Sequence, residues 1–155
     1  MDENKKSVES YQLHADFIND NSYLPETRLW RRVIAHALED TLIESHERKP
    51  SIAKAIAHNW ILEQGQDFQH ACYWADLDPD NVRDIYLRLI RQGLVRFSNR
   101  QLKWLEYQRL WKRLNMSHGS RQKRQIRAKI RDLRCLIMQS STTYHTTLFI
   151  NPLKI

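Results

Sequence analysis

Apolar side chains recur at intervals of three and four residues through most of this chain, the spacing that puts them on one face of an α-helix. The widest such face follows Pro25 and runs from Leu29 to Leu42, and shorter ones follow Ser51 and Phe68. The chain has only 3 Gly and 4 Pro, so few residues are suited to hairpins and tight turns. The pattern therefore predicts an all-α fold of about five helices rather than a sheet.

Capping and breaking residues predict where the first helices begin and end. Pro50 is expected to close the first apolar face, and Ser51 to start a second helix that stops at Gly65. Asp67 is the expected N-cap of a short helix over 68–75.

The second half of the chain carries sharper boundary signals. Asp78 followed by Pro79 is typical of an N-cap and a first helical residue, and predicts a helix that extends to about Gln92. Gly93 suits the left-handed residue that closes a helix, with Leu94 as its hydrophobic partner. Two long helices are then expected over 98–115 and 120–139, the first of them capped by Ser98 or Asn99.

These boundaries divide the chain into four predicted segments. A polar stretch with scattered aromatics is expected to be a flexible N-terminal arm, and a Thr-rich C-terminal stretch to be an extended tail or a single strand. Between them lie a helical domain and a hairpin of two basic helices. The predicted segments are 1–24 (arm), 25–97 (helical domain), 98–140 (basic helical hairpin) and 141–155 (tail).

Residues 68–90 resemble the helix-turn-helix unit of bacterial transcription regulators. Cys72 takes the small position of the first helix, Asp76 the turn position and Leu77 the apolar position that follows it. The spacing suits two helices joined by three or four residues. The resemblance implies binding to DNA, with the second helix of the unit in the major groove. Two later apolar anchors of the unit are Val82 and Ile85.

Two features of this unit differ from the usual pattern. The turn position often needs positive φ and commonly holds glycine, although Asp76 tolerates that conformation better than most residues. Four carboxylates, including those of Asp80 and Asp84, also crowd the region that normally approaches DNA phosphates. A helical hairpin used only for packing is therefore the alternative to insertion into a groove. The expected groove readers are Asn81, Arg83, Leu87 and Arg88.

Several observations bear on the setting of the protein. The string DFQHACYWADLDPDNVR is similar to a stretch of short proteins from alphaproteobacteria and their prophages, which implies a bacterial or prophage origin. No apolar run approaches the roughly 18 residues of a membrane span, and no hydrophobic stretch follows the charged N-terminus. Cys72 and Cys135 are expected to be free thiols in a reducing compartment. We expect a cytoplasmic, nucleoid-associated protein with no membrane partner.

Charge is divided unequally between the two halves of the chain. Residues 1–82 hold 8 Lys/Arg and 15 Asp/Glu, a net charge of −7, whereas residues 83–155 hold 17 Lys/Arg and 3 Asp/Glu, a net charge of +14. Three acids cannot neutralise this half, so it needs counter-ions, a polyanion or an acidic protein face. The charge distribution therefore predicts nucleic acid as the partner.

The last helix is the most basic part of the chain. Four apolar residues from Ile126 to Ile137 form a narrow seam on it, and the rest of its circumference is cationic. Like charges four residues apart destabilise an isolated helix, and release of counter-ions from a bound polyanion would offset that cost. The seam also suits a homodimer. The seam consists of Ile126, Ile130, Leu133 and Ile137, and the cations are Arg121, Lys123, Arg124, Arg127, Lys129, Arg131 and Arg134.

The helix before it alternates bases with aromatic residues. Trp104, Tyr107 and Trp111 share one face, with Arg100 and Lys103 among the neighbouring cations. Such a face can stack on unpaired bases while the cations follow the backbone. Packing of the aromatics in the core is the favoured interpretation.

The chain carries no recognisable catalytic or metal-binding motif. It has no glycine-rich phosphate loop, GxSxG or HExxH, and His70 with Cys72 lacks a second pair at metal-ligand spacing. The start of a calcium-binding loop is matched by Asp76, Asp78 and Asp80. The twelfth position of such a loop holds Glu, however, and in this chain it is Leu87. We therefore expect no enzymatic activity, no cofactor and no metal.

These observations predict a non-enzymatic nucleic-acid-binding protein, with double-stranded DNA favoured over RNA, in transcription regulation. One alternative is an adaptor whose acidic half docks on a protein of the transcription machinery. Another is a binder of RNA or single strands through the aromatic, basic helices. The expected nucleic-acid contacts are Asn81, Arg83, Arg88, Arg100, Lys103, Arg121, Lys123, Arg124, Arg127, Lys129, Arg131 and Arg134.

Overall fold

The computed structural model describes residues 23–155, so the predicted N-terminal arm lies outside the described residues except for Tyr23 and Leu24. Within this range the chain forms six α-helices and no β-strand, which confirms the predicted all-α fold. None of these helices combines the length and hydrophobicity of a transmembrane span. The helices are α1 (Pro25–Thr41), α2 (Arg48–Glu63), α3 (Gln66–Trp74), α4 (Pro79–Arg91), α5 (Asn99–Met116) and α6 (Ser120–Gln139).

The sharper capping signals are confirmed. The Asp78 carboxylate accepts a hydrogen bond from the backbone N–H of Asp80 at 3.1 Å, and Pro79 is the first residue of α4. Ser98 caps α5 in a capping box, because its hydroxyl accepts from the Gln101 N–H while the Gln101 side chain accepts from the Ser98 N–H. Each such cap stabilises a helix by about 1 kcal/mol.

The predicted boundaries around α2 are wrong by a few residues. This helix begins at Arg48, and Pro50 lies in its first turn, where N–H groups have no intrahelical acceptor and proline is tolerated. Gln64 ends α2 in a left-handed conformation with φ 48°, and Gly65 is the N-cap of α3. Asp67 therefore lies inside the first turn of α3. Its negative charge interacts favourably with the helix dipole there, but its side chain does not cap the helix.

The larger core lies where α1 to α5 meet. Phe68, Tyr86 and Phe97 are fully buried there, and each such burial stabilises the fold by roughly 1.5–3 kcal/mol. The rings pack edge to face, with 5.0 Å between the centroids of Trp60 and Phe68 and 5.1 Å between those of Phe97 and Phe149. Aliphatic residues that are fully buried in this core include Ile34, Leu38, Ile61 and Ile90.

Buried polar groups hold the connection between α1 and α2 in place. Lys54 of α2 is 1% exposed, and its Nζ donates to the carbonyl of Ile43 at 2.8 Å and to that of Arg96. Gln101 of α5 donates to the carbonyl of Ser45 at 2.9 Å. Because α2 and α5 both bind this connection, these bonds fix α5 against the first four helices.

A second, smaller core lies between α5 and α6. The predicted seam of Ile126, Ile130, Leu133 and Ile137 is buried against Tyr107 and Leu114 of α5. This confirms that the seam packs. Its partner is α5 of the same chain, so the seam is not exposed for contact between subunits.

Residues 141–155 run as an extended segment over the larger core. The backbone N–H of His145 donates to the carbonyl of Phe97 at 3.0 Å. Further along, the side-chain amide of Asn59 donates to the Leu153 carbonyl and accepts from the Leu153 N–H, each at 2.6 Å. The segment is therefore held by its backbone as well as by the side chains of Phe149, Leu153 and Ile155, which pack on the larger core.

His58 of α2 connects this C-terminal segment to α4. Its Nδ1 lies 2.5 Å from the hydroxyl of Tyr86 and its Nε2 lies 3.1 Å from the carbonyl of Asn151. A carbonyl only accepts, so Nε2 carries the proton and Nδ1 accepts from Tyr86. Burial lowers the pKa of His58 below its ordinary 6.5, with nearby Lys54 a smaller cause. Burial also raises the pKa of Tyr86, which keeps its phenol protonated.

The buried neutral imidazole makes stability depend on pH. His58 titrates near pH 6.5 in the unfolded chain and at lower pH in the folded chain, so acidification below about pH 7 favours unfolding. We expect the free energy of unfolding from urea denaturation to fall between pH 7.5 and pH 5.5. In His58→Gln the free energy of unfolding should depend less on pH. The dependence that remains should come in part from His46, because burial and then the nearby Arg100 lower the pKa of that side chain as well.

The exposed His70 supplies the control. His70→Gln should keep the pH dependence of the parent protein. Equal pH slopes for the parent and His58→Gln would contradict the assignment to His58.

Candidate nucleic-acid interface

The turn between α3 and α4 has the geometry that the helix-turn-helix resemblance requires of its turn residue. Asp76 adopts φ 54°, which confirms the positive φ expected at this position. Its N–H donates to the Tyr73 carbonyl at 3.1 Å, and the Leu77 N–H donates to the Cys72 carbonyl at 3.0 Å. These are the two bonds of a Schellman motif, so the turn forms with aspartate where glycine is usual.

Arg31 of α1 holds this turn from the core side. Its Nε donates to the carbonyl of Ala75 at 2.9 Å and a terminal nitrogen donates to that of Asp76 at 3.4 Å. Its guanidinium also lies over the ring of Tyr23, 3.7 Å from the centroid. Arg31 thus places a positive charge at the C-terminus of α3, where the helix dipole favours it. The contact could not be predicted from the sequence, because nothing near Arg31 indicates a partner more than 40 residues away.

Two of the positions that the resemblance assigns to the core of the unit are buried. Cys72 and Val82 are buried, as are Ala71 and Ala75, which allow a close approach of the two helices. Burial, and then the Asp78 carboxylate, raise the pKa of the Cys72 thiol to about 11. The thiol is therefore protonated at neutral pH and serves as a small apolar group.

The four carboxylates at the turn and the start of α4 are exposed to solvent. Asp80 accepts from Gln64 Nε2 at 3.1 Å, and Asp78 caps α4. None of the four forms a salt bridge with another residue of the described range. The carboxylates at this turn are therefore not neutralised by cations of residues 23–155.

The expected groove readers on α4 have different surroundings. Asn81 and Arg88 are exposed. Arg83 is half-buried, and its Nε is enclosed without a hydrogen-bond partner among the described residues. Leu87 is half-buried and packs against the larger core, so only part of its side chain is accessible for the groove contact expected of it.

The cations of α6 remain in solvent. Six of its seven Lys/Arg residues are exposed and Lys123 is half-buried. None of the seven forms a salt bridge with a carboxylate of residues 23–155. Pairs of like charge four residues apart each cost a helix about 0.2–0.5 kcal/mol, and no ion pair among residues 23–155 offsets this repulsion in α6. A bound polyanion would remove it.

The cations and aromatics of α5 are partly committed to structure. Arg100 donates a terminal nitrogen to the carbonyl of Ser140 at 3.0 Å and so helps to cap the C-terminus of α6. Lys103 is half-buried. Trp104 donates its Nε1 to the His46 carbonyl at 3.0 Å, and Tyr107 is buried in the smaller core. The two rings pack inwards, as the favoured interpretation expected, and Trp111 keeps 37% of its surface exposed.

The described residues offer no alternative site of metal chemistry. No three side chains among His, Cys, Asp and Glu converge on one point within residues 23–155. Comparisons of the chain with protein-family models, curated proteins and solved structures found no match. The candidate functional surfaces of the described residues are therefore the turn, α4 and the cations of α6.

The strain at the turn generates a stability prediction. Asp76→Gly should raise the free energy of unfolding by about 0.5–1 kcal/mol, because glycine adopts positive φ without the steric cost of a Cβ atom. Urea denaturation at pH 7 measures the change. A loss of stability would contradict the assignment, since it would mean that the Asp76 side chain contributes more than its conformation costs.

Gly93 provides the reciprocal variant. It closes α4 with φ 74° in the same motif, and an added Cβ would meet no atom within 4 Å. Gly93→Ala should therefore lower the free energy of unfolding by about 1 kcal/mol through the backbone conformation alone.

Proposed function

We propose that this chain binds double-stranded DNA without catalysing a reaction, as a bacterial or prophage transcription regulator acting at the nucleoid. One observation carries the proposal: the seven cations of α6 lie at the surface without a carboxylate partner in residues 23–155. Contact with phosphates would release the counter-ions condensed on DNA, which supplies most of the free energy of non-specific binding. It would also relieve the repulsion within α6.

In this proposal α3 and α4 form the helix-turn-helix unit. Asn81 and Arg88 are both exposed on α4 and are the side chains best placed to reach base edges. Arg83 is half-buried and adds a positive charge beside them. The exposed carboxylates before them limit how closely the start of α4 approaches phosphates. Most of the affinity is therefore assigned to α6, and α4 supplies the preference for sequence.

A protein adaptor is the second candidate, and an exposed aromatic pair favours it. Tyr73 and Trp74, at the end of α3, are 75% and 55% exposed and pack edge to face 5.4 Å apart. Tyrosine and tryptophan are enriched among residues that dominate protein interfaces. Together with Asp76 and Asp78 they would suit a partner with a basic rim.

Binding of single strands through aromatic stacking has weaker support. It needs several accessible rings on α5, whereas Trp104 is bonded to a backbone carbonyl and Tyr107 is buried. Of the three predicted rings, Trp111 is exposed, Trp104 is half-buried and Tyr107 is buried. Duplex DNA therefore remains the favoured ligand.

The proposal is tested by titrating the protein with a random duplex of about 25 base pairs over a range of salt concentrations. About five phosphate contacts should give a slope of log K against log salt near −4.5. Single-stranded DNA and RNA of equal length should bind more weakly. Absence of duplex binding at low salt would overturn the proposal and leave the adaptor as the candidate to pursue.

The role of α4 is tested by Arg88→Gln. Selection from a pool of random duplexes should show a relaxed preference at one position, since a bidentate base contact discriminates by about 1–3 kcal/mol. Arg91→Gln removes the same charge from the last turn of the same helix and is the control. Identical selected sequences for the parent protein and Arg88→Gln would exclude Arg88 as a reader.

A further inference from the structure

The cations of α6 are unevenly distributed around the helix axis. At about 100° per residue, measured from the centre of the buried seam, five of them lie between about 50° and 150° on one side. Arg121 and Lys129 lie on the other side, at about −150° and −70°, near Asp132 and Gln125. We call the first side the cationic flank; its members are Lys123, Arg124, Arg127, Arg131 and Arg134.

The shape of the surface supports this division. A shallow pocket of about 410 Å³ is lined by four of the five flank cations, together with Ser120 and Ala128. Neither Arg121 nor Lys129 lines it. The small side chains of Ser120 and Ala128 leave the floor of the pocket accessible, so several cations converge on one concave surface.

The length of the cationic flank fits a run of phosphates. Lys123 and Arg134 are 11 residues apart, which corresponds to about 16 Å along the helix. One strand of duplex DNA carries a phosphate for every 3.4 Å of axis, so about five phosphates span this distance. Five cations therefore face a comparable number of phosphates.

We propose that the cationic flank is a phosphate-binding track for one strand of duplex DNA and that the opposite flank of α6 faces away from it. This rests on the proposed function and specifies which surface carries it. The flank cations are guanidinium groups except for Lys123, and guanidinium binds phosphate oxygens in pairs. The track reads no bases, so its affinity is independent of sequence.

An anionic lipid surface is the other polyanion to consider, and the structure disfavours it. A helix that binds in a membrane interface inserts its apolar face among the lipids. The apolar face of α6 is the seam, which is buried against α5.

A matched pair of double variants tests the track. Lys123→Gln with Arg131→Gln removes one lysine and one arginine, eight residues apart, from the flank. Arg121→Gln with Lys129→Gln removes the same types at the same separation from the opposite side. At about 0.1 M salt the flank variant should bind a random duplex about 50-fold more weakly, with a salt slope shallower by about 1.8, whereas the control should lose less than about 3-fold.

Each outcome has a distinct meaning. Equal losses in the two variants would overturn the track while leaving DNA binding intact, and absence of binding by the parent protein would overturn the proposed function itself. Flank-dependent binding to vesicles with about 30% phosphatidylserine, or to duplex RNA, without binding to duplex DNA would overturn the assignment of the ligand. Circular dichroism and thermal unfolding confirm that each variant is folded.

Lysine acetylation of the unmodified sequence gives an independent measurement. Saturating duplex should protect Lys123 from acetylation and leave Lys129 reactive. Protection of Lys129 with Lys123 reactive would overturn the proposed orientation even if both double variants proved too unstable to use.

Discussion

The buried ammonium group of Lys54 is the contact on which the arrangement of the helices depends. An uncompensated charge at this depth would cost several kcal/mol, so its hydrogen bonds must form as it is buried. It donates to the carbonyls of Ile43 and Arg96 and lies 4.8 Å from the centroid of the Phe97 ring. These acceptors belong to the α1–α2 and α4–α5 connections. Burial of Lys54 therefore requires both connections and α2 together, which couples the placement of α5 to the folding of the first four helices.

This coupling makes the α5–α6 hairpin a fixed platform. α5 contributes Leu105 to the larger core and Tyr107 to the smaller one, so it belongs to both. Arg100 then ties the end of α6 back to the start of α5. A charged side chain on a rigid helix loses less entropy on binding than one on a mobile arm. The repulsion among the cations of α6 is thus tolerated because the seam and the platform hold the helix in place.

The features predicted from the sequence are those with local causes. The caps at Asp78 and Ser98 each act within three residues, and the seam of α6 repeats within one helix. Arg31, Lys54 and His58 were not predicted to have structural roles, because their acceptors lie 44, 42 and 93 residues away. The solvent exposure of the α6 cations could be predicted from the density of charge in that segment, because unpaired charges are rarely buried. The half-burial of Leu87 was not predicted, because the packing of α4 against other helices does not follow from a local pattern.

The charges of α4 can be explained by the stability of that helix, whereas the charges of α6 cannot. Asp80 lies in the first turn of α4 and Arg88 and Arg91 lie in its last turn, the order that the helix dipole favours. The acidic turn therefore needs no partner to account for its charge. α6 begins with Arg121 and Lys123 and has no acid in its first turn, so its cations stand where the dipole opposes them. Helix stability accounts for the charges of α4 but disfavours those of α6, and binding of a polyanion, as proposed above, would offset that cost.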